Sequence, residues 1–298
     1  MLKSMLLLYN PISGQQKFAP NLSEVVNIFT SAGFLVTVYP TQAQADAGQV
    51  IASIGQDFDY IVCSGGDGTV NEVIEAILQL ARRPIFGIIP SGTVNDFATS
   101  LGMPRDIIAA AEAIVRGQVK PVDIGRFGQD KYFTYVAAFG LFTDVSYATP
   151  QGMKNKLGNI AYILEGIKRL GSVQSHQCTF TLDGEEISGD FALGLITNSQ
   201  SVGGIKLPEV LDVQMDDGML EVILIRMPEN FLDLVKTITA LVNQEIASES
   251  MVIRRAKKIT ATSASPLVWT RDGEYGGEGY DVEIENLQHA IEIIRPSS

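Results

Sequence analysis

Over roughly the first 125 residues, short apolar runs alternate with stripes of helical period. Leu6 to Tyr9 reads as a strand, and Asn10-Pro11-Ile12-Ser13-Gly14 as the turn after it. Leu22, Val25, Val26 and Phe29 mark one helix face, closed by Gly33. Phe34 to Tyr39 follows as strand, Val50 to Ile54 as part of a helix, and Tyr60 to Cys63 as strand. Val70, Val73, Ile74, Ile77 and Leu78 then recur at helical spacing, before the strand Ile85 to Ile89 and the helix Ile107 to Val115 ending at Gly117. Alternation of this kind predicts a parallel sheet with helices on its faces and ligands at the carboxyl ends of the strands.

From about residue 126 the pattern changes. Tyr132 to Phe139, Cys178 to Leu182, Phe191 to Thr197 and Met219 to Ile225 are aromatic or β-branched runs, and Asp183-Gly184 falls between two of them as a hairpin turn. Ala256 to Thr262, Leu267 to Thr270, Tyr280 to Glu285 and Ala290 to Ile294 extend the series, which predicts an antiparallel β domain. Two helical stripes interrupt it, one through Leu157, Ile160, Ala161, Leu164 and Ile167, the other through Phe231, Leu234, Val235, Ile238 and Leu241.

Composition narrows the function classes. The 298 residues are 46% hydrophobic and 19% charged, ordinary for a globular chain of two domains. A net charge of −12 argues against nucleic acid as a partner, since backbone binding needs clustered Lys and Arg. Two cysteines, Cys63 and Cys178, offer neither a disulfide framework nor a zinc pattern, which fits a reducing, cytoplasmic setting. No apolar run approaches the roughly 20 residues of a membrane span. His176 and His289 are the only histidines and stand far in sequence from the glycine-rich turns, so histidine catalysis is not expected.

The chemistry-bearing stretch is Gly65-Gly66-Asp67-Gly68-Thr69-Val70-Asn71-Glu72, between a strand and a helix. Glycines there let backbone N–H groups reach an anion, and the helix adds its own unpaired N–H groups and dipole. Asp67 beside phosphates is repulsive unless a cation or hydroxyl lies between, which points to metal-assisted phosphate chemistry. Asn10 to Gly14, Pro40-Thr41 and Pro90-Ser91-Gly92-Thr93-Val94-Asn95-Asp96 occupy the same edge of the predicted sheet, making a polar rim suited to a nucleotide. Each turn also has a plainer reading: Asp-Gly is a common turn, and Thr69 with Glu72 or Thr93 with Asp96 makes a capping box.

The combination of Asn10-Pro11-x-Ser13-Gly14, Gly65-Gly66-Asp67-Gly68-Thr69 and Pro90-x-Gly92-Thr93-x-Asn95-Asp96-Phe97-Ala98 resembles the diacylglycerol kinase catalytic-domain superfamily, more narrowly its bacterial lipid kinases without membrane spans. The resemblance implies a three-layer α/β nucleotide-binding domain with a parallel sheet over 1–125. It also implies an antiparallel β-sandwich with inserted helices over 126–287, which would bind the acceptor, and a last strand, 288–298, returning to the first domain. It implies ATP contacts at Asn10, Pro11, Ile12, Ser13, Gly14, Thr41, Gly66, Asp67, Gly68, Thr69, Val70, Asn71, Glu72 and Thr93. Asp272, in the late acidic motif Asp272-Gly273-Glu274, matches the proton acceptor, while Gln214, Asp217 and Met219 match a structural Mg2+ site. Read without the resemblance, Asp272-Gly273 is also a hairpin turn and Asp216-Asp217-Gly218 an exposed one.

The activity implied is ATP- and Mg2+-dependent transfer of a γ-phosphate to a lipid hydroxyl, diacylglycerol first, by a chain acting peripherally at the inner membrane face. A homodimer is compatible with this. Arg254-Arg255-Ala256-Lys257-Lys258, and Lys154, Lys156, Lys168 and Arg169, are candidate basic patches for the headgroups. One departure from many relatives is that Gln15-Gln16 stand between the first turn and Lys17, where those relatives have Lys directly. The rival expectations are an NAD kinase-like enzyme on a soluble substrate and a nucleotide or lipid sensor without turnover.

Overall fold

The computed structural model describes residues 2–13, 18–141, 173–246 and 250–297. The chain divides into two compact units: Met1–Asp123 with His289–Ser298, and Ile124–Gln288.

In the first unit, β1 (Lys3–Tyr9) pairs in parallel with β2 (Phe34–Pro40) on one side and β3 (Tyr60–Gly65) on the other, and β3 pairs in parallel with β4 (Ile85–Pro90). Ile293 adds a further parallel step against Phe86. Met5 to Leu8 are all buried without alternation, as in a strand covered on both faces. The cover comes from amphipathic helices. α1 (Leu22–Ser31) buries Val25 and Phe29, and Gly33 at φ 89° ends it in the left-handed conformation that a residue without Cβ takes cheaply. Next come α2 (Asp46–Ile54), α3 (Asp67–Gln79), the short α4 (Asp96–Ser100) and α5 (Ile107–Arg116). The Asp106 carboxylate caps α5, accepting from the Ala109 N–H at 2.9 Å.

In the second unit the pairings are antiparallel. The strands are β5 (Gln118–Phe127, entering from the first unit), β6 (Lys131–Phe133), β7 (Val136–Gly140), β8 (His176–Leu182), β9 (Glu185–Thr197), β10 (Ser201–Val202) and β11 (Ile205–Lys206). Then follow β12 (Leu220–Arg226), α6 (Phe231–Val242), β13 (Met251–Ala256), β14 (Lys258–Arg271) and β15 (Glu274–Arg295). The sheet order runs β13, β12, β9, β7, β14, β15, with β8 against both β9 and β14. Over the described residues antiparallel ladders outnumber parallel ones. Its core gathers Phe133, Phe139, Phe180, Phe191 and Trp269. The Phe139 ring lies 5.0 Å from the Trp269 ring and 5.7 Å from that of Phe180. The hairpins turn at Asp183-Gly184 (φ 48° and 98°) and Asp272-Gly273 (φ 49° and 82°), positive at both residues as a two-residue turn of matching twist requires.

Three expected elements differ. The run Tyr132 to Phe139 is two strands, because Thr134 and Tyr135 turn their N–H groups toward a carboxylate instead of a neighbouring strand. Ala256 to Thr262 and Leu267 to Thr270 lie largely on one strand, β14, whose register shifts across the polar Ser263–Pro266 stretch without ending it. Tyr280 to Glu285 and Ala290 to Ile294 are likewise one strand, β15. The stripe through Leu157 to Ile167 lies outside the described residues. No helix among the described residues is long and apolar enough to cross a membrane.

Candidate functional site

Strand β3 runs through Ser64 and Gly65, so Gly66 alone separates it from α3, and Asp67 is already the first helical residue. Gly66 is the N-cap, with no side-chain cap among the described residues, and its carbonyl accepts from the Val70 N–H at 3.0 Å. The glycines here are demanded by packing as well as suited to an anion. A Cβ on Gly65 would stand 2.6 Å from the Thr69 Cβ, and one on Gly92 would stand 2.5 Å from the Gly66 Cα and 2.8 Å from Asn95 Oδ1. The turns after β3 and β4 therefore touch backbone to backbone.

Asn95 closes the second turn. At φ 58° its side chain folds back, Oδ1 accepting from the Gly92 N–H and Nδ2 donating to the Gly92 carbonyl, both at 2.9 Å. Asp67 ties the turns together, accepting from the Asn95 N–H at 2.9 Å and the Phe97 N–H at 3.4 Å. The first turn joins the same rim: Asn10 Nδ2 donates to Thr69 Oγ1 at 3.5 Å, and Ser13 Oγ donates to the Ser91 carbonyl at 3.3 Å. Thr41 is buried, with its N–H on the Tyr9 carbonyl at 2.9 Å.

Of the sequence-predicted positions in this unit, Asn10, Ser13, Gly66, Asp67 and Thr69 are brought together in this network. Thr93 and Gly68 are exposed beside it, Ile12 is exposed, Pro11 and Asn71 are partly buried, and Gly14 lies outside the described residues, as do Gln15 to Lys17. Val70 points into the core. Glu72 does not close a capping box on Thr69; Oε1 instead accepts from the Gly48 N–H at 2.8 Å, which ties α3 to α2. Nor does Thr93 cap α4, since Asn95 is its N-cap. Ser91 and Asn95 were absent from the expected contacts. Asn before Asp was the available signal, because Asn tolerates positive φ and bonds to nearby backbone.

In the second unit Asp272, at the β14–β15 turn, is buried. Its Oδ2 accepts from Thr134 N–H at 2.7 Å and Thr134 Oγ1 at 2.9 Å, and its Oδ1 from the Tyr135 and Val136 N–H groups, each at 3.0 Å. Burial pushes this carboxyl up to about 6, with the three backbone N–H groups and the Thr134 hydroxyl pulling the other way. Glu274, two residues on at the start of β15, is exposed.

Gln214, Asp217 and Met219 fall on one segment before β12, where the Asp217 carboxylate and the Met219 carbonyl already accept hydrogen bonds. Asp217 Oδ1 accepts from the Met219 N–H at 3.0 Å, and its Oδ2 pairs with the Arg255 guanidinium. The Met219 carbonyl accepts from Asn286 Nδ2 at 2.8 Å, and Gln214 Nε2 donates to Asp212 Oδ1 at 2.8 Å. Among the described residues no group of three or more His, Cys, Asp or Glu side chains is placed to hold a metal. Of the three expected Mg2+ ligands only Asp217 brings a carboxylate, and both of its oxygens accept hydrogen bonds here. Arg255 also lies 3.3 Å from Glu221, which burial, opposed by Arg255 and aided by Asp217, pushes up to about 8.

The basic run turns onto acids as well. Arg254 pairs with Glu185 at 3.1 Å and Lys258 with Glu285 at 3.6 Å, alongside the Arg255 pairs. That leaves less free charge for a headgroup than the sequence run implies. Lys154, Lys156, Lys168 and Arg169 lie outside the described residues.

Comparison with known proteins places this geometry. Residues 4–127 match the diacylglycerol kinase catalytic domain, and residues 137–295 match the YegS C-terminal NAD kinase beta sandwich-like domain. The chain is 33% identical to the diacylglycerol kinase of Bacillus subtilis over 99% of its own length and 97% of that protein's. It is 35% identical to that of Staphylococcus saprophyticus over 100% and 97%. A solved Bacillus anthracis structure assigned to the diacylglycerol kinases overlays with a TM-score of 0.86 at 29% identity, covering 98% of this chain and 95% of that one.

Proposed function

Because the chain belongs to the diacylglycerol kinase family, and is with it a phosphotransferase using an alcohol group as acceptor, we propose that it transfers the γ-phosphate of ATP to the hydroxyl of a lipid. Diacylglycerol is the acceptor and phosphatidic acid the product. The observation that carries this reading is the mutual contact of the Gly66 and Gly92 turns, fixed by Asp67 and Asn95 at the carboxyl ends of β3 and β4. Phosphoryl transfer needs positioning and charge stabilisation far more than covalent chemistry from the protein. A rigid double turn at a helix N-terminus supplies aligned N–H donors for phosphate oxygens. Mg2+ bound with the nucleotide would neutralise phosphate charge, and no step is assigned to a cation on the 214–219 segment.

Deprotonating the lipid hydroxyl falls to the hairpin of the second unit. An ionised carboxylate has about four acceptor positions, and four donors already fill those of Asp272. This favours Asp272 as the residue that fixes the hairpin and Glu274 as the carboxylate that takes the proton, reversing the order expected from sequence. The enzyme works at the cytoplasmic membrane surface, where the acceptor lies, as a peripheral protein.

Incubation with radiolabelled ATP, Mg2+, and mixed micelles of diacylglycerol, other lipid alcohols or soluble NAD tests the proposal. Label in phosphatidic acid is the expected result. Label in NAD phosphate alone would establish the NAD kinase-like alternative, and nucleotide binding without turnover the sensor. Glu274→Gln should abolish transfer with the thermal midpoint unchanged, whereas full activity in that variant overturns the base assignment.

A further inference from the structure

Thr197, at the end of β9, and Asn198, Ser199 and Ser201 after it are buried polar residues for which the proposed reaction so far gives no use. Thr197, Asn198 and Ser199 are fully buried and Ser201 nearly so. Their bonds converge on Tyr135: Thr197 Oγ1 donates to the Tyr135 carbonyl at 2.5 Å, and the Asn198 N–H reaches the same oxygen at 3.2 Å. The Ser199 N–H in turn donates to Thr197 Oγ1 at 3.1 Å. The Tyr135 carbonyl shares a peptide unit with the Val136 N–H, and that N–H donates to Asp272 Oδ1. A continuous chain of donors therefore runs from Ser199 through the Thr197 hydroxyl and one peptide group to the carboxylate.

We infer that Thr197 is a positioning residue for the acidic hairpin, acting through the Tyr135–Val136 peptide on Asp272. This rests on the kinase reading above for its consequence in catalysis, but not for its physical content. Hydrogen bonds in series polarise one another: a carbonyl that accepts strongly makes its own peptide N–H a stronger donor. The Thr197 hydroxyl thus strengthens the bond that keeps Asp272 ionised in a buried place, and it fixes the peptide whose movement would swing the Asp272–Glu274 turn.

The charged or titratable groups on the elements around that turn are Lys131 and Tyr132 of β6, Tyr135, Arg271 of β14, and Glu274 and Tyr275 of β15. Lys131 Nζ is directed to the Gly276 carbonyl at 3.1 Å and Arg271 to the Tyr132 carbonyl. None of these side chains is a cause of the Asp272 shift, in which burial outweighs the four hydrogen-bond donors.

The test compares full-length wild type, Thr197→Val and Thr197→Ser. Two readouts are followed: kcat and kcat/KM against pH with diacylglycerol micelles, and the carbon-13 titration of the Asp272 carboxyl. Thr197→Val keeps the shape but loses the donor. It should move the Asp272 titration up by roughly half a pH unit. It should also lower kcat about tenfold while leaving the KM for ATP unchanged. Thr197→Ser, which retains the hydroxyl, should restore both.

A Val variant with the wild-type titration overturns the inference, and so does a Ser variant that behaves like Val. Should the Val variant fail to fold, Thr197→Ala carries the same titration. If wild type phosphorylates no lipid, the kinase reading fails while the titration of Asp272 still decides the role of Thr197.

Discussion

Replacing Gly92 by Ala tests the double turn directly. The new methyl would lie 2.5 Å from the Gly66 Cα and 2.8 Å from Asn95 Oδ1, where carbon atoms rest at about 3.5–4.0 Å. One backbone or the other must retreat by about 1 Å, and the Gly66 side is held by β3 and α3. The Asn95 side moves only by surrendering the two 2.9 Å bonds that close the turn. Overpacking of this kind costs about 1–3 kcal/mol. Breaking a turn bond adds about 1 kcal/mol.

A loss of about 3 kcal/mol lowers the thermal midpoint by roughly 10 °C in a unit of this size. Because the displaced N–H groups are those proposed to meet phosphate, ATP affinity should fall at least about tenfold as well. Gly48→Ala is the control, since its methyl would meet the Glu72 side chain at an ordinary 3.5 Å. Urea titration and calorimetric ATP titration of the two variants give the answer. A Gly92→Ala protein with both wild-type stability and wild-type affinity refutes the contact as a determinant of either.

Other expectations follow from single groups. Asp67→Ala removes the acceptor for the Asn95 and Phe97 N–H groups, so it should cost about 1–3 kcal/mol in urea unfolding even without nucleotide; a loss of affinity with unchanged stability would instead assign Asp67 to the ligand alone. Between about pH 4 and 6, folded Asp272 keeps a proton that the unfolded chain has released, so stability falls as pH rises through that window. The expected fall is about 1–3 kcal/mol, and Asp272→Asn should flatten it; a wild-type profile that rises across the window contradicts the assignment. Asp59, held low by Ser4 and Arg82, acts in the opposite sense but is solvent-screened. Burial pushes the Cys63 thiol up to about 12, so native protein should react with a thiol reagent at Cys63 only at the rate of unfolding, measured by mass spectrometry with and without urea.

The apolar periodicities located the first-unit strands and helices well, because β1, β3 and β4 bury contiguous runs and α1, α3 and α5 bury stripes that no distant residue reverses. What the sequence could not show were partnerships. Glu72 has the spacing of a capping box with Thr69, yet the Gly48 N–H lies within reach and takes it. The Tyr132 to Phe139 run has strand composition throughout, and only the arrival of Asp272, some 137 positions away, breaks it in two. Asp67 reads in sequence as a carboxylate beside phosphate, while its backbone partners, the Asn95 and Phe97 N–H groups, follow another strand and could not be read from its own turn. Among the candidate residues, positions on one turn were legible from the glycines, while the donors each carboxylate accepts from were not.

Strand β15 has a consequence for the order of synthesis. Its end, from His289, belongs to the first unit, where Ile293 pairs with Phe86, whereas residues 124–288 lie between in the chain. A ribosome therefore delivers the first unit without one of its strands. At about 5–20 residues per second, β4 waits on the order of 10 s with an open edge before the last strand emerges. The second unit can complete itself first. In a nascent chain the first unit would be the later of the two to close, and the one whose open strand edge is exposed longest.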